Sequence, residues 1–236
     1  MTSDRPSEST SGSFGGFIRR LLGRSSREEL DEDADEQTGS PVSDVWLVVG
    51  LGNPGPSYAG HRHNVGYLVV DVLAERMGAP LRAHKSGRAE VVEGRLGAIG
   101  PETPRVVLAR ARSYMNETGG AVSTLAKFYK VPPERIVAVH DELDIPFGAL
   151  RIKLGGGDNG HNGLRSMRAS LGTGDFYRVR VGVGRPSGRQ DPADFLLSTF
   201  SSSERKDLDI NLVEAADAVE SLVGDGLEKT QQRFNR

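Results

Sequence analysis

The sequence predicts an α/β fold built around a largely parallel sheet, and three observations lead to it. Short apolar runs of strand length recur along the chain, at 45–49, 105–109 and 135–139. Segments with apolar residues at helical spacing lie between these runs, and the chain contains no internal repeat. Strands that alternate with helices are typical of a sheet that helices cover.

The first 44 residues are expected to lie outside this fold. They carry five Arg and ten Asp or Glu, a balance of −5, whereas the remaining 192 residues carry 25 basic and 22 acidic side chains, a balance of +3. The segment is rich in Ser and Gly and poor in β-branched and aromatic residues, a composition typical of disorder. The sequence therefore predicts a disordered acidic tail at 1–44 and a folded domain at 45–236.

The helices of the domain have recognisable periods and ends. Apolar residues at i, i+3 and i+4 form a first stripe over 65–73, and Gly78 is placed to end that helix. A second stripe covers 121–129 and stops before Pro132, and the last helix is expected over 202–223. Between the second and third stripes, Arg178-Val-Arg-Val-Gly-Val alternates with a period of two. This alternation predicts a half-exposed strand with basic residues on one face.

Whole-chain composition excludes several classes of protein. Apolar residues make up 36% and charged residues 26% of the chain, as expected of a soluble folded protein. The absence of Cys rules out disulfides, thiol nucleophiles and cysteine zinc sites. No apolar run approaches bilayer length, and the N-terminus lacks the pattern of a secretory signal. We therefore expect a cytoplasmic protein without a membrane segment.

Polar residues follow three of the predicted strands at the point where each strand ends. Asn53 lies beyond the first run, Asn116 beyond the second and Asp141 beyond the third. In open α/β sheets, sites gather beyond the carboxyl ends of the strands. If the three strands are parallel neighbours, these side chains share one edge of the sheet.

Two His-Asn pairs, His63-Asn64 and His161-Asn162, are candidates for the same site. His63 lies between a strand-end loop and a helix start, and His161-Asn162 follows the glycine run 155–157. Neutral donors and acceptors with a single anion suit the polarisation of a carbonyl and the activation of water. From chemistry alone His63 is either a catalytic base or a structural residue, and Asn64 could be the N-cap of the next helix. His161 could equally be structural.

Two other interpretations are disfavoured by local context. Gly50-Leu-Gly-Asn-Pro-Gly55 matches GxGxxG, but the dinucleotide fingerprint also needs its third Gly inside a helix and an acid after a second strand, about 20 residues on. Here Pro54 delays the helix, and Asp71 falls within a helical stripe. The carboxylates of 140–144 could bind a metal, yet they precede turn residues and lack a His-x-x-x-His pair. We therefore expect no metal and no cofactor.

The glycine run 155–157 has two interpretations that remain open. Its backbone could cradle a phosphate, or it could act as a flexible lid over the site.

Six motifs, which occur together and in order, carry a resemblance to a known family. They are GLGNPG at 50–55, YAGHRHNVG at 58–66, SYMNETG at 113–119, HDELDIPFG at 140–148, KLGGGDNGHNGL at 153–164 and RVRVGVGRP at 178–186. The ordered set resembles the bacterial-type peptidyl-tRNA hydrolase family along about 190 residues. The resemblance implies a single α/β domain with a mixed sheet, usually monomeric and without a cofactor. The implied substrate is the ester that joins a peptide to the terminal ribose of tRNA.

The resemblance also implies catalytic roles for three residues. His63 matches the general base that takes a proton from water. Asp141 matches the carboxylate that fixes the tautomer of this base and stabilises its imidazolium form. Asn53 matches the residue that contacts the peptide backbone and favours N-blocked over free aminoacyl-tRNA.

Binding roles follow in the same way. Asn116 and Asn162 match the amides that hold substrate and water and donate to the oxyanion, and His161 belongs to the same binding set. Tyr58 and Tyr114 match aromatic positions that line the tRNA end.

The resemblance assigns the tRNA 5′-phosphate to Lys153 and Arg180, a pair that offers positive charge and does not read bases. The chain departs from the family at Asp158-Asn159, where many members have Gly at the second position. Because Asn replaces Gly at this position, the mobility that the family pattern implies for the glycine-rich loop does not carry over directly to this chain. Two other functions stay open, a tRNA-binding module without activity and an esterase that acts on small substrates.

Overall fold

The computed structural model describes residues 44–97, 100, 103–186 and 188–235. The strands are β1 (Val45–Gly50), β2 (Arg82–Ala83), β3 (Ala89–Arg95), β4 (Arg105–Ala111), β5 (Ile136–Glu142), β6 (Leu150–Leu154) and β7 (Tyr177–Gly182). The helices are α1 (Val65–Arg76), α2 (Thr118–Tyr129), α3 (Asn162–Leu171), α4 (Pro192–Leu196), α5 (Glu204–Asp225) and α6 (Leu227–Phe234).

All seven strands belong to one mixed sheet, in the order β2-β3-β4-β1-β5-β7-β6. The four strands β4, β1, β5 and β7 run parallel in the centre, whereas β3 pairs antiparallel with β4 and β6 with β7. The expectation of a mixed, largely parallel sheet flanked by helices is confirmed. The three strands predicted from the apolar runs are indeed adjacent, as β4-β1-β5.

Helices cover both faces of this sheet, and the alternation of side chains along β1 shows the two layers. Val48 packs into a core cluster with α1 and α5, while Leu47 and Val49 pack on the other face with α2 and α3. Successive residues of a strand point to opposite faces, so a strand buried on both sides is apolar throughout. This explains why the central strands read as continuous apolar runs.

Helix α1 buries a wider arc than its predicted stripe. Leu68 and Val72 belong to the stripe and are only partly buried, whereas Val70 and Ala74 are buried as well. The cause is that α1 contacts both the sheet and α5, so a second side of the helix is removed from water.

Strand β7 corrects one prediction. Its alternating pattern predicted a half-exposed strand with basic residues on one face, but β7 lies between β5 and β6 and Arg178 is only 2% exposed. The guanidinium is covered because Arg178 donates hydrogen bonds to the carbonyl oxygens of Gly156 and Gly157 in the loop after β6. An alternating sequence pattern shows which face of the sheet a side chain points to. It does not show whether a loop covers that face.

Two glycines let α1 lie directly against the ends of β1 and β5. A Cβ atom on Gly66 would clash with the carbonyl oxygen of Val139 and lie 2.6 Å from the amide nitrogen of Leu51. A Cβ atom on Gly50 would clash in turn with the carbonyl oxygen of Gly66. The contact between helix and sheet at this point is therefore made by backbone atoms.

The tail predicted at 1–44 lies outside the described residues apart from Asp44, which accepts a hydrogen bond from Arg135 at 3.2 Å. Of the helices in the described part of the chain, none is both long and apolar enough to cross a membrane.

Candidate active site

One cavity of about 810 Å³ lies beyond the carboxyl ends of the central strands. Eight of the ten predicted site residues line it: Asn53, Tyr58, His63, Tyr114, Asn116, Asp141, His161 and Asn162. They come from the β1–α1 connection, the β4–α2 connection, the end of β5 and the start of α3. The parallel arrangement of β4, β1 and β5 brings the first three of these segments to one edge, as the strand pattern predicted.

His63 and Asp141 form a buried pair at the floor of the cavity. The Nδ1 atom of His63 lies 2.8 Å from Oδ1 of Asp141. Since an ionised carboxylate can only accept, the proton lies on Nδ1 and the Nε2 atom keeps its lone pair. Burial lowers the pKa of His63, but the charge of Asp141 and the hydrogen bond outweigh it and raise the pKa above 6.5. The pair thus has the form of a base with an orienting acid.

His161 contacts the same carboxylate oxygen from the other side. Its Nε2 atom lies 3.0 Å from Oδ1 of Asp141. Its Nδ1 atom accepts hydrogen bonds from the backbone amides of Gly163 at 3.1 Å and Leu164 at 3.3 Å, and so caps α3. Because Nδ1 accepts, the proton of the neutral ring lies on Nε2 and is donated to Asp141. Burial would raise the pKa of Asp141, but His63 and His161 hold it well below its ordinary value.

His140 lies beneath this group and was not predicted as a site residue. Its Nδ1 atom donates to the backbone carbonyl of Asp141 at 2.7 Å, and its ring packs edge-on against that of His161 with centroids 4.9 Å apart. Burial is the main cause that lowers the pKa of His140 to about 3, and the proximity of the His161 ring contributes. His140 is therefore neutral and supports the neighbouring ring. Its position next to Asp141 in the sequence was the only signal for it.

Asn53 is oriented by three hydrogen bonds. Its backbone amide donates to Oδ1 of Asn64 at 3.0 Å, and Nδ2 of Asn64 donates to its carbonyl at 2.9 Å. The amide of Met115 donates to Oδ1 of Asn53 at 2.8 Å, which leaves Nδ2 of Asn53 as a donor at the cavity. Asn64 does occupy the N-cap position of α1, but its side chain makes no capping hydrogen bond there and bonds to Asn53 instead.

The remaining lining residues differ in how firmly they are held. Asn162 accepts a hydrogen bond from Arg165 at 3.2 Å, which leaves its amide nitrogen to donate. Asn116 is exposed in the middle of the 3₁₀ turn before α2. The rings of Tyr58 and Tyr114 meet edge to face with centroids 6.1 Å apart, and Tyr114 is 55% exposed. The two tyrosines form an aromatic wall at the mouth of the cavity.

Lys153 and Arg180 do not line the cavity. Arg180 is neutralised by Glu142, whose Oε2 lies 2.9 Å from its Nη2 and 3.0 Å from its Nε. Lys153 forms no ion pair within the described residues and stands opposite the buried Arg178 in the register of β6 and β7. Sequence reasoning missed Arg178 as a support of the glycine-rich loop, although the Arg-x-Arg spacing placed it on the same face as Arg180.

Three of the lining side chains are close enough to hold a metal ion. One ligand atom each of His63, Asp141 and His161 lie within 4.8 Å of one another. A metal at His161 would take the lone pair of Nε2, yet this nitrogen must carry the proton while Nδ1 accepts from two backbone amides. The donor set therefore does not fit a metal ion.

The other disfavoured sites can also be compared with the structure. In the segment 140–144, Glu142 pairs with Arg180 and Asp144 pairs with Arg185 at 2.6 Å, so both carboxylates have cationic partners. Between Gly55 and the start of α1 at Val65, the chain forms two 3₁₀ turns and no α-helix. The glycine motif at 50–55 therefore does not open a helix, which a dinucleotide fingerprint requires.

Comparison with known proteins identifies the family. A family model described as peptidyl-tRNA hydrolase matches residues 47–236. The peptidyl-tRNA hydrolase of Streptomyces coelicolor is 58% identical over 203 residues, which cover 86% of this chain and 99% of the relative. That of Mycolicibacterium smegmatis is 57% identical over 190 residues, covering 80% of this chain and 97% of the relative. A crystal structure of peptidyl-tRNA hydrolase from Acinetobacter baumannii superposes with a TM-score of 0.74 at 35% identity, covering 84% of this chain and 97% of that one. The chain belongs to the peptidyl-tRNA hydrolase family.

Proposed function

We propose that this chain hydrolyses the ester between a peptide and tRNA, and that His63 is the general base. The observation that carries the proposal is the buried hydrogen bond from Nδ1 of His63 to Asp141, which leaves Nε2 free beside the cavity. The names of its relatives support the substrate class, since they are peptidyl-tRNA hydrolases that match this chain over 99% and 97% of their own length.

In the proposed reaction, Nε2 of His63 takes a proton from water as the water oxygen attacks the ester carbonyl carbon. Asp141 stabilises the imidazolium that forms and keeps the ring in the required tautomer. The ester bond then breaks, and the departing ribose oxygen receives the proton from His63. The products are a free peptide carboxyl group and tRNA with its terminal hydroxyl restored.

The amide side chains account for the other requirements of the reaction. Nδ2 of Asn162 and the exposed amide of Asn116 can donate to the oxyanion, because both border the cavity. Nδ2 of Asn53 can donate to the carbonyl of an N-acyl group, which an unblocked aminoacyl-tRNA lacks. Asn53 therefore supplies a physical basis for selecting N-blocked substrates, while the wall of Tyr58 and Tyr114 offers rings on which the tRNA end can stack.

Lys153 is proposed to contact the tRNA 5′-phosphate, with Arg180 in a lesser role because Glu142 already neutralises it. We further propose a cytoplasmic monomer that needs no cofactor. The monomer is supported because a single chain supplies every proposed site residue. The absence of a metal cofactor is supported because the tautomer of His161 opposes metal binding.

The test is cleavage of N-acetyl-aminoacyl-tRNA beside the unblocked aminoacyl-tRNA, with a short N-acyl ester as a third substrate. The proposal expects rapid release of tRNA from the blocked form only. Binding of tRNA without cleavage would identify a binding module, and equal cleavage of the short ester would identify a general esterase.

A further inference from the structure

Arg62 directly precedes the proposed base His63 in the chain, but it does not line the cavity. The residue is only 5% exposed. Burying a guanidinium costs free energy unless its donors and its charge find partners. The partners of Arg62 therefore indicate what this side chain does.

The polar partners of this guanidinium in the described chain lie between α4 and the start of α5. Nη1 of Arg62 donates to Oγ of Ser198 at 2.8 Å and to the carbonyl oxygen of Thr199. Nη2 donates to Oε2 of Glu204 at 2.6 Å. Burial would raise the pKa of Glu204, but hydrogen bonds from Ser201 and Arg62 hold it below its ordinary value. The carboxylate is therefore ionised where it meets the guanidinium.

Two aromatic rings flank the same guanidinium. Its Cζ atom lies 4.2 Å from the ring centroid of Phe195 and 5.3 Å from that of Phe200. Phe195 belongs to α4, whereas Phe200 is buried in the core. A planar guanidinium can lie over a ring and still donate hydrogen bonds from its edge, which a lysine ammonium cannot do. Arg62 thus joins α4 to the core through one side chain.

The backbone beside Arg62 holds the same segment. The amide of Arg62 donates to the carbonyl oxygen of Ser198 at 3.1 Å, and His61 forms an isolated antiparallel bridge with Thr199. Among the elements of the described chain, the 3₁₀ turn at Arg62–Asn64 is the one that α4 contacts most. A helix of five residues is too short to be stable by itself. The position of α4 therefore depends on this turn.

Another side of α4 faces the cavity. Six non-aromatic apolar side chains of the described residues line the cavity, and four of them belong to α4 or follow it directly: Pro192, Ala193, Leu196 and Leu197. We call these four residues the α4 wall. Leu197 is 44% exposed, so the wall has apolar area that a ligand can cover. Phe195 lies within the same stretch of sequence but contacts Arg62.

We propose that Arg62 is a positioning residue that holds the α4 wall against the side chain of the amino acid esterified to tRNA. The inference rests on the proposed function, which places the ester carbon beside His63. The amide side chains of the site bind the polar groups of the substrate, while the α4 wall offers apolar contact to its side chain. Since Arg62 and His63 belong to one 3₁₀ turn, the same turn carries the base and supports the wall.

The experiment measures KM and kcat for N-acetyl-leucyl-tRNA and N-acetyl-glycyl-tRNA, each relative to the wild type, in Arg62→Lys and Arg110→Lys. Arg110 is a matched control, because it pairs with the carboxylates of Asp71 and Glu90, lies 5.4 Å from the ring of Tyr67 and does not line the cavity. Both variants keep the positive charge opposite their carboxylates, so both are expected to fold.

In Arg62→Lys, KM for the leucyl substrate should rise about fourfold for each CH₂ group that loses its apolar contact. The glycyl substrate has no side chain, so its KM should stay the same. The value of kcat should hold for both substrates, because the wall contacts ground state and transition state alike. Arg110→Lys should change none of these values. An equal rise in KM for both substrates in Arg62→Lys would show that Arg62 supports the whole site, and would overturn the proposal.

Phe195→Leu tests the same contact from the side of α4. It keeps the helix apolar but removes the ring that lies against the guanidinium, so it should also raise KM for the leucyl substrate alone. The double variant Arg62→Lys/Phe195→Leu should show less than the sum of the two free-energy changes, because both substitutions disturb one contact. If neither single variant changes KM for the leucyl substrate, the proposal is wrong.

Affinities for the N-acetyl-leucyl and N-acetyl-glycyl amides of 3′-amino-3′-deoxyadenosine separate this inference from the proposed function. An amide in place of the ester resists hydrolysis, so calorimetry with these compounds reports on the wall without turnover. Arg62→Lys should weaken binding of the leucyl amide alone, and an equal loss for both amides, or no binding of either by the wild type, overturns the inference. If the wild type cleaves neither ester, the proposed function fails, while the amide affinities still decide whether Arg62 positions the wall.

Discussion

Asn64 and Asn53 are joined by two hydrogen bonds that run in opposite directions, from the backbone amide of Asn53 to the side chain of Asn64 and from that side chain back to the carbonyl of Asn53. A primary amide is suited to this task because it carries one donor and one acceptor side by side. The arrangement fixes the backbone at Asn53, so that its own side chain can be held by Met115 and face the cavity.

Replacing Asn64 with Ala should impair catalysis without touching the substrate. Both backbone groups of Asn53 would lose a buried partner, and a shift of about 1 Å at a positioning residue can reduce the rate by about 10²-fold. We expect kcat/KM for N-acetyl-aminoacyl-tRNA to fall and the preference over the unblocked substrate to narrow. Unaltered selectivity in the variant would contradict the link between the two asparagines.

His63→Ala should remove most of the turnover and leave tRNA affinity nearly intact. Loss of a general base lowers the rate by about 10²–10⁴-fold, since water must then be deprotonated without a positioned acceptor. The measurement is kcat together with the Kd of deacylated tRNA. Turnover close to that of the wild type would rule out His63 as the base.

The pH profile should report the charge of Asp141. His63 acts as a base only when neutral, and its pKa lies above 6.5, so activity should rise with pH through a midpoint above that value. Asp141→Asn removes the charge that raises this pKa, so the midpoint should move to lower pH while kcat falls. If the midpoint were the same in Asp141→Asn and in the wild type, a group other than His63 would control the loss of activity at low pH.

Chelators should not affect hydrolysis. His63, Asp141 and His161 are near enough to hold a metal, but the capping role of His161 keeps a proton on the nitrogen that would bind it. Activity should survive EDTA once magnesium is restored for tRNA folding. Activity that returns with zinc and not with magnesium would require a metal-based mechanism.

Lys153→Gln should raise KM for tRNA more than Arg180→Gln does, although the sequence presents the two residues as an equal pair. Glu142 neutralises Arg180, while Lys153 keeps an uncompensated charge within the described residues. The increase in KM should be the same for every tRNA species, because phosphate contacts carry no sequence information. Equal effects of the two substitutions would show that Glu142 moves away from Arg180 when tRNA binds.

The sequence could predict that Asn53, Asn116 and Asp141 lie at one edge of the sheet. This prediction needs only that each residue follows a strand and that the three strands are parallel neighbours. Each follows an apolar run long enough for one strand, and parallel neighbours bring their carboxyl ends together. The three strands outside the parallel centre, β2, β3 and β6, were not predicted, since each carries charged residues and lacks a continuous apolar run. Each of them pairs antiparallel with a strand next to it in chain order, β2 with β3, β3 with β4 and β6 with β7.

The shared carboxylate of the site could not be predicted from local patterns. His161 reaches Asp141 only because the loop after β6 returns to the end of β5, a contact between residues 20 positions apart. The burial of Arg178 and the pairing of Arg180 with Glu142 are likewise tertiary facts, invisible to a period of two. The sequence pattern therefore indicated which residues belong to the site. Their hydrogen-bond and ion-pair partners depend on how distant parts of the chain fold together.

The backbone contact between Gly66 and the ends of β1 and β5 restricts which residue can occupy position 66 if His63 and Asp141 are to stay paired. His63 stands three residues before Gly66, and Asp141 two residues after Val139, so the gap between helix and sheet determines the 2.8 Å separation of the two side chains. Any side chain at Gly66 would push the helix outward and lengthen that hydrogen bond. A position remote from the substrate is therefore as restricted in sequence as the base itself.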